Sequence, residues 1–138
     1  VVASEFIRTD PLEALRLIAD LPPDTRRDEL LRRAAMEWAS QDGPSTARWA
    51  RQIEAGPLRD QVLAAIATAW SERDPTAAAN LAVTELPAGR SQDAAVIGIV
   101  RRWTQQDMEQ AAAWVRQFPE GGLRDAAAWE LTGFGRHP

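Results

Sequence analysis

The stretch from Arg59 to Pro75, RDQVLAAIATAWSERDP, returns along the chain at nearly fixed spacing. An Arg-Asp pair opens it, a tryptophan follows ten residues after the aspartate, and a second aspartate comes four residues later. The same pattern fills residues 27–42, and it returns in residues 92–107 with glutamine in place of the arginine. Self-similarity at a fixed period of about 20 to 50 residues is typical of proteins built from tandem units.

An aspartate marks the start of each unit, and successive starts are 32 or 33 residues apart. Within a unit, apolar residues recur at helical spacing on both sides of a break that contains proline or glycine. Each unit is therefore predicted to be a pair of antiparallel helices, and the chain to be a single all-α domain. The units are expected at about residues 10–41, 42–73, 74–106 and 107–138.

Two sets of residues recur with the units and are predicted to be structural. A tryptophan near the end of each second helix is expected to fill the wedge between its own hairpin and the next first helix. An aspartate near the start of each second helix complements the helix dipole. The two sets are Trp38, Trp70 and Trp103, and Asp28, Asp60, Asp93 and Asp125.

The arginine that precedes three of these aspartates has two interpretations. The first is structural, with contacts between arginine and carboxylate groups of neighbouring hairpins. The alternative is a ladder of guanidinium groups along one face that reads acidic or carboxylate-terminated peptides. The residues concerned are Arg27, Arg59 and Arg124.

Each first helix is expected to bury one apolar stripe. In the first unit the predicted stripe is Ala14, Leu17, Ile18 and Leu21, and in the third unit it is Ala79, Ala82, Val83 and Leu86.

The chain resembles the tetratricopeptide-like α-solenoids in four features. These are two short helices per unit, a period in the low thirties, Asp-Pro at the start of a unit, and alanines at close-packing positions. The tetratricopeptide signature proper includes a tyrosine, and this chain has none, so the resemblance is to the superfamily. It implies a right-handed α-solenoid of about four antiparallel helix hairpins. It also implies a role in binding other proteins.

In related solenoids the first helices usually line the concave side, so a candidate interaction surface is expected there. Arginines recur at two positions of the first helices, beside Trp49 and Trp114, and tryptophan with arginine is typical of binding hot spots. The alternative is that both tryptophans belong to the core. Trp129 differs, because its counterparts in the other units are not reliably apolar, and it is expected to face a neighbouring chain or a further hairpin. The candidate surface is Arg16, Arg48, Arg51, Arg116 and Trp129.

The composition argues against nucleic-acid binding and against a membrane-spanning segment. The chain has 138 residues, 45% of them apolar and 26% charged, as in an ordinary globular domain. Its net charge of -4 argues against a nucleic-acid partner, which requires a clustered basic excess. No apolar run approaches the roughly 18 to 20 residues of a membrane span.

The residues that carry most enzyme chemistry are scarce. The chain has no cysteine, which excludes disulfides and thiolate metal ligands, and its single histidine, His137, is the penultimate residue. Gly121-Gly122 lacks the strand-to-helix context of a phosphate loop. We therefore predict a protein that is not an enzyme and has no cofactor and no metal. The compartment is left open.

Two functional hypotheses follow. The first is a non-catalytic helical-repeat scaffold that mediates protein–protein or protein–peptide interaction. The alternative is an accessory or regulatory domain of an enzyme, or a sensor of a small ligand. Phe6 lies four residues before Asp10, as Trp38 does before Asp42, so residues 1–9 are expected to be the tail of a preceding helix in a longer protein. End-to-end self-association is also expected, because the terminal hairpins of a stack expose faces that inner hairpins cover.

Overall fold

The computed structural model describes residues 10–132, and in that range it contains eight α-helices and no strand. The predicted all-α class is confirmed. The expected tail at residues 1–9 lies outside the described residues. The first helices of the units are α1 (Pro11–Ala19), α3 (Gly43–Ala50), α5 (Pro75–Glu85) and α7 (Met108–Arg116), and the second helices are α2 (Thr25–Ala39), α4 (Pro57–Trp70), α6 (Arg90–Gln106) and α8 (Gly122–Thr132).

The same aspartate cap begins every first helix. Its carboxylate accepts a hydrogen bond from the backbone N–H three residues later, at 3.0 to 3.2 Å, in a geometry that satisfies an otherwise unpaired amide. Three of these aspartates also donate their own backbone N–H to the carbonyl of the tryptophan four residues earlier, at 2.7 to 3.0 Å. Each second helix therefore turns into the next first helix through one kind of tight corner.

The turns inside the last three hairpins also share one form. Gly56, Gly89 and Gly121 precede the second helices with φ of 157°, 149° and 154°, a backbone region open to glycine and strained for other residues. In the first hairpin Asp24 takes this place with φ of -142° and caps α2 by accepting from the N–H of Arg27 at 2.8 Å. The glycines are therefore required by the turn.

The second helices form one layer, in which α2 contacts α4, α4 contacts α6 and α6 contacts α8. The first helices α3, α5 and α7 each contact the second helix before them and the one after them. Within residues 10–132, no two first helices contact each other to a comparable extent. The first helices therefore lie over the junctions between second helices.

The core is continuous from one hairpin to the next. One buried cluster joins α2 to α8 through side chains such as Leu63 and Ile99, and a second lies between α1 and α2 around Leu15. Trp49 and Leu58 pack against both clusters. Each hairpin thus buries its apolar face against its neighbours, since no helix of this length is stable alone.

The predicted stripes of the first helices are wrong at three positions. Leu17, Leu21 and Val83 are 51%, 44% and 46% exposed, and α1 buries Ala14 and Leu15. Trp49 and Trp114, which occupy the position of Leu17 in later units, pack on the core of the unit before them. Leu17 has no described unit before it, so its side chain faces solvent. In α5 the buried face instead includes Leu81, which is 4% exposed.

The ion pairs between hairpins are made by residues outside the Arg-Asp pairs. Asp28, Asp60, Asp93 and Asp125 lie in the first turns of the second helices, as predicted. Arg27 pairs with its neighbour Asp28 at 3.1 Å, within one hairpin. Among residues 10–132, the pairs that join different hairpins are Arg51 with Glu85, Arg101 with Glu130, and Arg102 with Glu72.

We expect the pair of Arg51 with Glu85 to make stability depend on pH. Hydrogen bonds from Arg51 hold the pKa of Glu85 below its usual value, so the charged carboxylate favours the folded state. The contribution is fully present above the unfolded pKa of about 4.3 and is lost as the pH falls through the lower folded value. Because the Arg51 side chain is 45% exposed, we expect Glu85→Gln to cost no more than about 1 kcal/mol at pH 7. Urea unfolding of both proteins at pH 7 and pH 3 checks this, and a difference that persisted at pH 3 would contradict it.

Candidate interaction surface

The second helices α2, α4 and α6 carry a continuous groove, which we call the second-helix groove. It consists of three adjoining clefts of about 360, 420 and 670 Å³, none of which is lined by a first helix. The first and middle clefts share Met36, and the middle and last clefts share Arg90 and Ala94. The groove therefore crosses three hairpins.

Small side chains form the floor of the groove. Ala64, Ala65 and Thr68 of α4 face Ala94 and Gly98 of α6. A Cβ at Gly98 would lie 3.3 Å from Cγ2 of Thr68, which shows how closely the two helices approach. The floor is shallow and apolar, so the backbone of an extended peptide can reach it.

Arginines line the sides of the groove, and most have a carboxylate partner. Arg32 and Arg33 both donate to Glu29, and these hydrogen bonds hold the pKa of Glu29 below its usual value. Nε of Arg101 donates to Glu130 at 2.9 Å, and that carboxylate raises the pKa of the guanidinium. Pairing of this kind keeps long side chains in fixed positions.

Arg90 is the exception. It is exposed at the start of α6, and it forms no ion pair with another residue of the 10–132 range. The middle cleft is lined by Arg90 and Arg32 and by no carboxylate. A guanidinium that lacks a carboxylate partner beside an apolar floor favours a ligand that brings its own carboxylate.

No family model, curated protein or solved structure matches this chain.

The residues of the predicted interaction surface lie on both sets of helices and in one turn. Arg16, Arg48 and Arg116 are exposed on first helices, whereas Arg51 is held by Glu85 through two hydrogen bonds of 2.7 and 2.5 Å. Trp129 lies on α8, in the layer of second helices, and is 54% exposed. Trp129 is therefore on a second helix, whereas Arg16, Arg48 and Arg116 are on first helices.

The tryptophans near the ends of the second helices pack in different places, and only Trp103 is seen against the next first helix. The rings of Trp103 and Trp114 are 5.7 Å apart, across the junction between the third and fourth units. Trp70 lies against Gly43, at the start of the first helix of its own hairpin, and Trp38 packs on the cluster between α1 and α2. Trp49 also packs on the core, as the core interpretation expected.

Sequence reasoning missed the groove, although one signal pointed to it. The counterparts of Trp129 in the other units are Arg32, Ala64 and Ile97, and all three line the groove. Packing does not constrain this position, because four otherwise similar units have an arginine, an alanine, an isoleucine and a tryptophan there. Such variation within a regular pattern is typical of a surface position.

Metal sites and membrane-spanning helices were both sought among the described residues. Residues 10–132 contain no group of three or more acidic or histidine side chains that could hold a metal ion. None of the helices in this range is both long enough and apolar enough to cross a bilayer.

Proposed function

We propose that this chain is a right-handed α-solenoid of four hairpins that serves as a non-catalytic scaffold for protein–peptide interaction. The recurrent aspartate cap, the recurrent glycine turn and the contacts between successive second helices support the solenoid. Because the second helices contact one another more extensively than the first helices do in this range, their layer is the more crowded one, and in a curved stack the crowded layer is the concave one.

The ligand that suits the second-helix groove is an extended acidic segment of a partner protein. The observation that supports this most is the middle cleft, where Arg32 and Arg90 face small apolar residues and no carboxylate lines the cleft. The acidic side chain would bind Arg90, which has no ion-pair partner among the described residues, and small neighbouring residues would fit over Ala64 and Ala94. Trp129 continues the same layer and can contact the end of a longer segment.

A random peptide library displayed on phage tests the proposal. We expect the enriched sequences to carry aspartate or glutamate flanked by small apolar residues. Arg90→Glu should weaken their binding at least about tenfold, because it replaces an attraction by a repulsion. Arg48→Glu is the matched control, since Arg48 is exposed on the first helix α3 and should leave the affinity unchanged.

The outcomes of this experiment show whether the peptide binds the first helices or the second helices. If Arg48→Glu abolishes binding and Arg90→Glu does not, the peptide site lies on the first helices and the groove is excluded. If no peptide is enriched, or if the enriched peptides bind Arg90→Glu as well as the unmodified protein, the proposed function is wrong.

A further inference from the structure

A separate cleft of about 560 Å³ lies at the junction of the first two hairpins and shares no residue with the second-helix groove. We call it the junction cleft. Its walls are mainly apolar and include Leu31, Trp49, Ile53 and Leu58. The volume falls within the range of about 300 to 1,000 Å³ that is typical of small-molecule sites.

Among residues 10–132, Arg27 is the only cation that lines the junction cleft. Nε and Nη2 of Arg27 donate to the same oxygen of Asp28, at 3.3 and 3.1 Å, and the Arg27 side chain is 20% exposed. These bonds fix the plane of the guanidinium and leave Nη1 without an acceptor among the described residues. A positioned guanidinium at the edge of an apolar cleft is a receptor for a carboxylate.

The second hairpin junction has an ion pair where the first one has Ala19 and Gln52. Counted from the capping aspartates, with allowance for one extra residue in α5, Ala19 and Gln52 correspond to Arg51 and Glu85. Arg51 and Glu85 pair across the second junction. The first junction has the small side chain of Ala19 in place of Arg51, and both Ala19 and Gln52 line the cleft.

The third hairpin junction differs as well. Phe118 stands at the position of Ile53 and packs edge-on against Trp114, with ring centroids 4.9 Å apart. Gln92 stands at the position of Arg27 and donates to two carbonyl oxygens of its own hairpin, at 3.2 and 3.1 Å. The third junction therefore has a ring in place of Ile53 and an amide in place of the guanidinium.

We propose that the junction cleft binds a small monocarboxylate with an aromatic or branched aliphatic body. The body packs against Trp49, Ile53 and Leu58, and the carboxylate accepts hydrogen bonds from Nη1 of Arg27. Glu54 borders the same cleft on an exposed turn and disfavours a second negative charge on the ligand. This site is independent of the second-helix groove and of the peptide bound there.

Isothermal titration calorimetry with 4-phenylbutyrate and its uncharged analogue 4-phenylbutanol tests the proposal on the full chain. We expect the acid to bind with a Kd of about 1 mM or tighter, and the alcohol at least about tenfold more weakly. Arg27→Gln should bring the two affinities within about threefold of each other. Equal affinities in the unmodified protein, or no heat with the acid up to about 10 mM, would overturn the proposal.

A second variant tests the location of the site. Ala19→Arg combined with Gln52→Glu reproduces the ion pair of the second junction and should fill the cleft, so both ligands should lose binding while the Tm is kept or raised. Unchanged binding in this variant would overturn the assignment. A peptide with a C-terminal phenylalanine that binds when 4-phenylbutyrate does not would also overturn it, because the site would then belong to a peptide terminus.

Discussion

Replacing Trp103 by alanine is expected to lower the free energy of unfolding by about 3 to 5 kcal/mol. The Trp103 side chain is 5% exposed, and its ring lies 5.7 Å from that of Trp114, where α6 meets α7. Truncation removes the buried indole and leaves a cavity that the rigid neighbouring helices cannot close. Urea unfolding followed by circular dichroism measures the loss directly.

The matched control is Trp129→Ala, which deletes the same side chain from a position that is 54% exposed. Less apolar surface is uncovered there, so we expect about half the cost of Trp103→Ala. Similar costs for the two variants would contradict the placement of Trp103 at a buried hairpin junction.

Gly43→Ala is expected to destabilise the protein by about 2 to 3 kcal/mol, even though alanine is the better helix former. A Cβ at this position would lie 2.3 Å from Cδ2 of Trp70 and 2.4 Å from Cγ of the same ring. Both atoms belong to a bulky, half-buried ring, so the ring must shift to admit the added Cβ. We expect a fall in Tm of roughly 10 °C in a calorimetric scan.

Two controls isolate the contact between Gly43 and Trp70. Gly122 also begins a helix, but an added Cβ there meets nothing within 4 Å, so Gly122→Ala should be neutral or stabilising. In a Trp70→Leu background, Gly43→Ala should lose most of its cost, because the clashing ring is gone. An equal cost in both backgrounds would show that Trp70 does not lie on Gly43.

Trp70→Ala is expected to destabilise the whole array by about 3 to 5 kcal/mol, since a large ring between two helices is removed. Its unfolding should remain a single transition when fluorescence and circular dichroism are compared, because each hairpin is stable only through its neighbours. A variant that keeps its Tm within about 2 °C would contradict this expectation.

The helices were predictable because residues close in sequence determine where a helix forms. Apolar residues at helical spacing and an aspartate at each start specify where a helix begins and which face is buried. Residues 94–100, AAVIGIV, could pass for a buried strand when taken alone, yet the period of the units predicted a helix. The structure confirms it, with Ile99 and Val100 buried in α6.

The groove and the junction cleft were not predictable, because both depend on how neighbouring helices are rotated and spaced. The close approach of Gly98 to Thr68 joins residues on two different helices, and the pairing of Arg51 with Glu85 joins residues that are 34 positions apart. A sequence period specifies neither contact. The exposure of Leu17 has a similar origin, since burial at that position depends on a preceding unit.

A NOESY spectrum of the indole and aromatic protons tests directly whether the helices pack as successive hairpins. We expect cross-peaks between the ring of Trp70 and the α-protons of Gly43, and between the rings of Trp103 and Trp114. Both contacts join the end of a second helix to a first helix, one within a hairpin and one between hairpins. If both sets of cross-peaks were missing from a well-resolved spectrum of the folded protein, the helices would not pack as tandem hairpins.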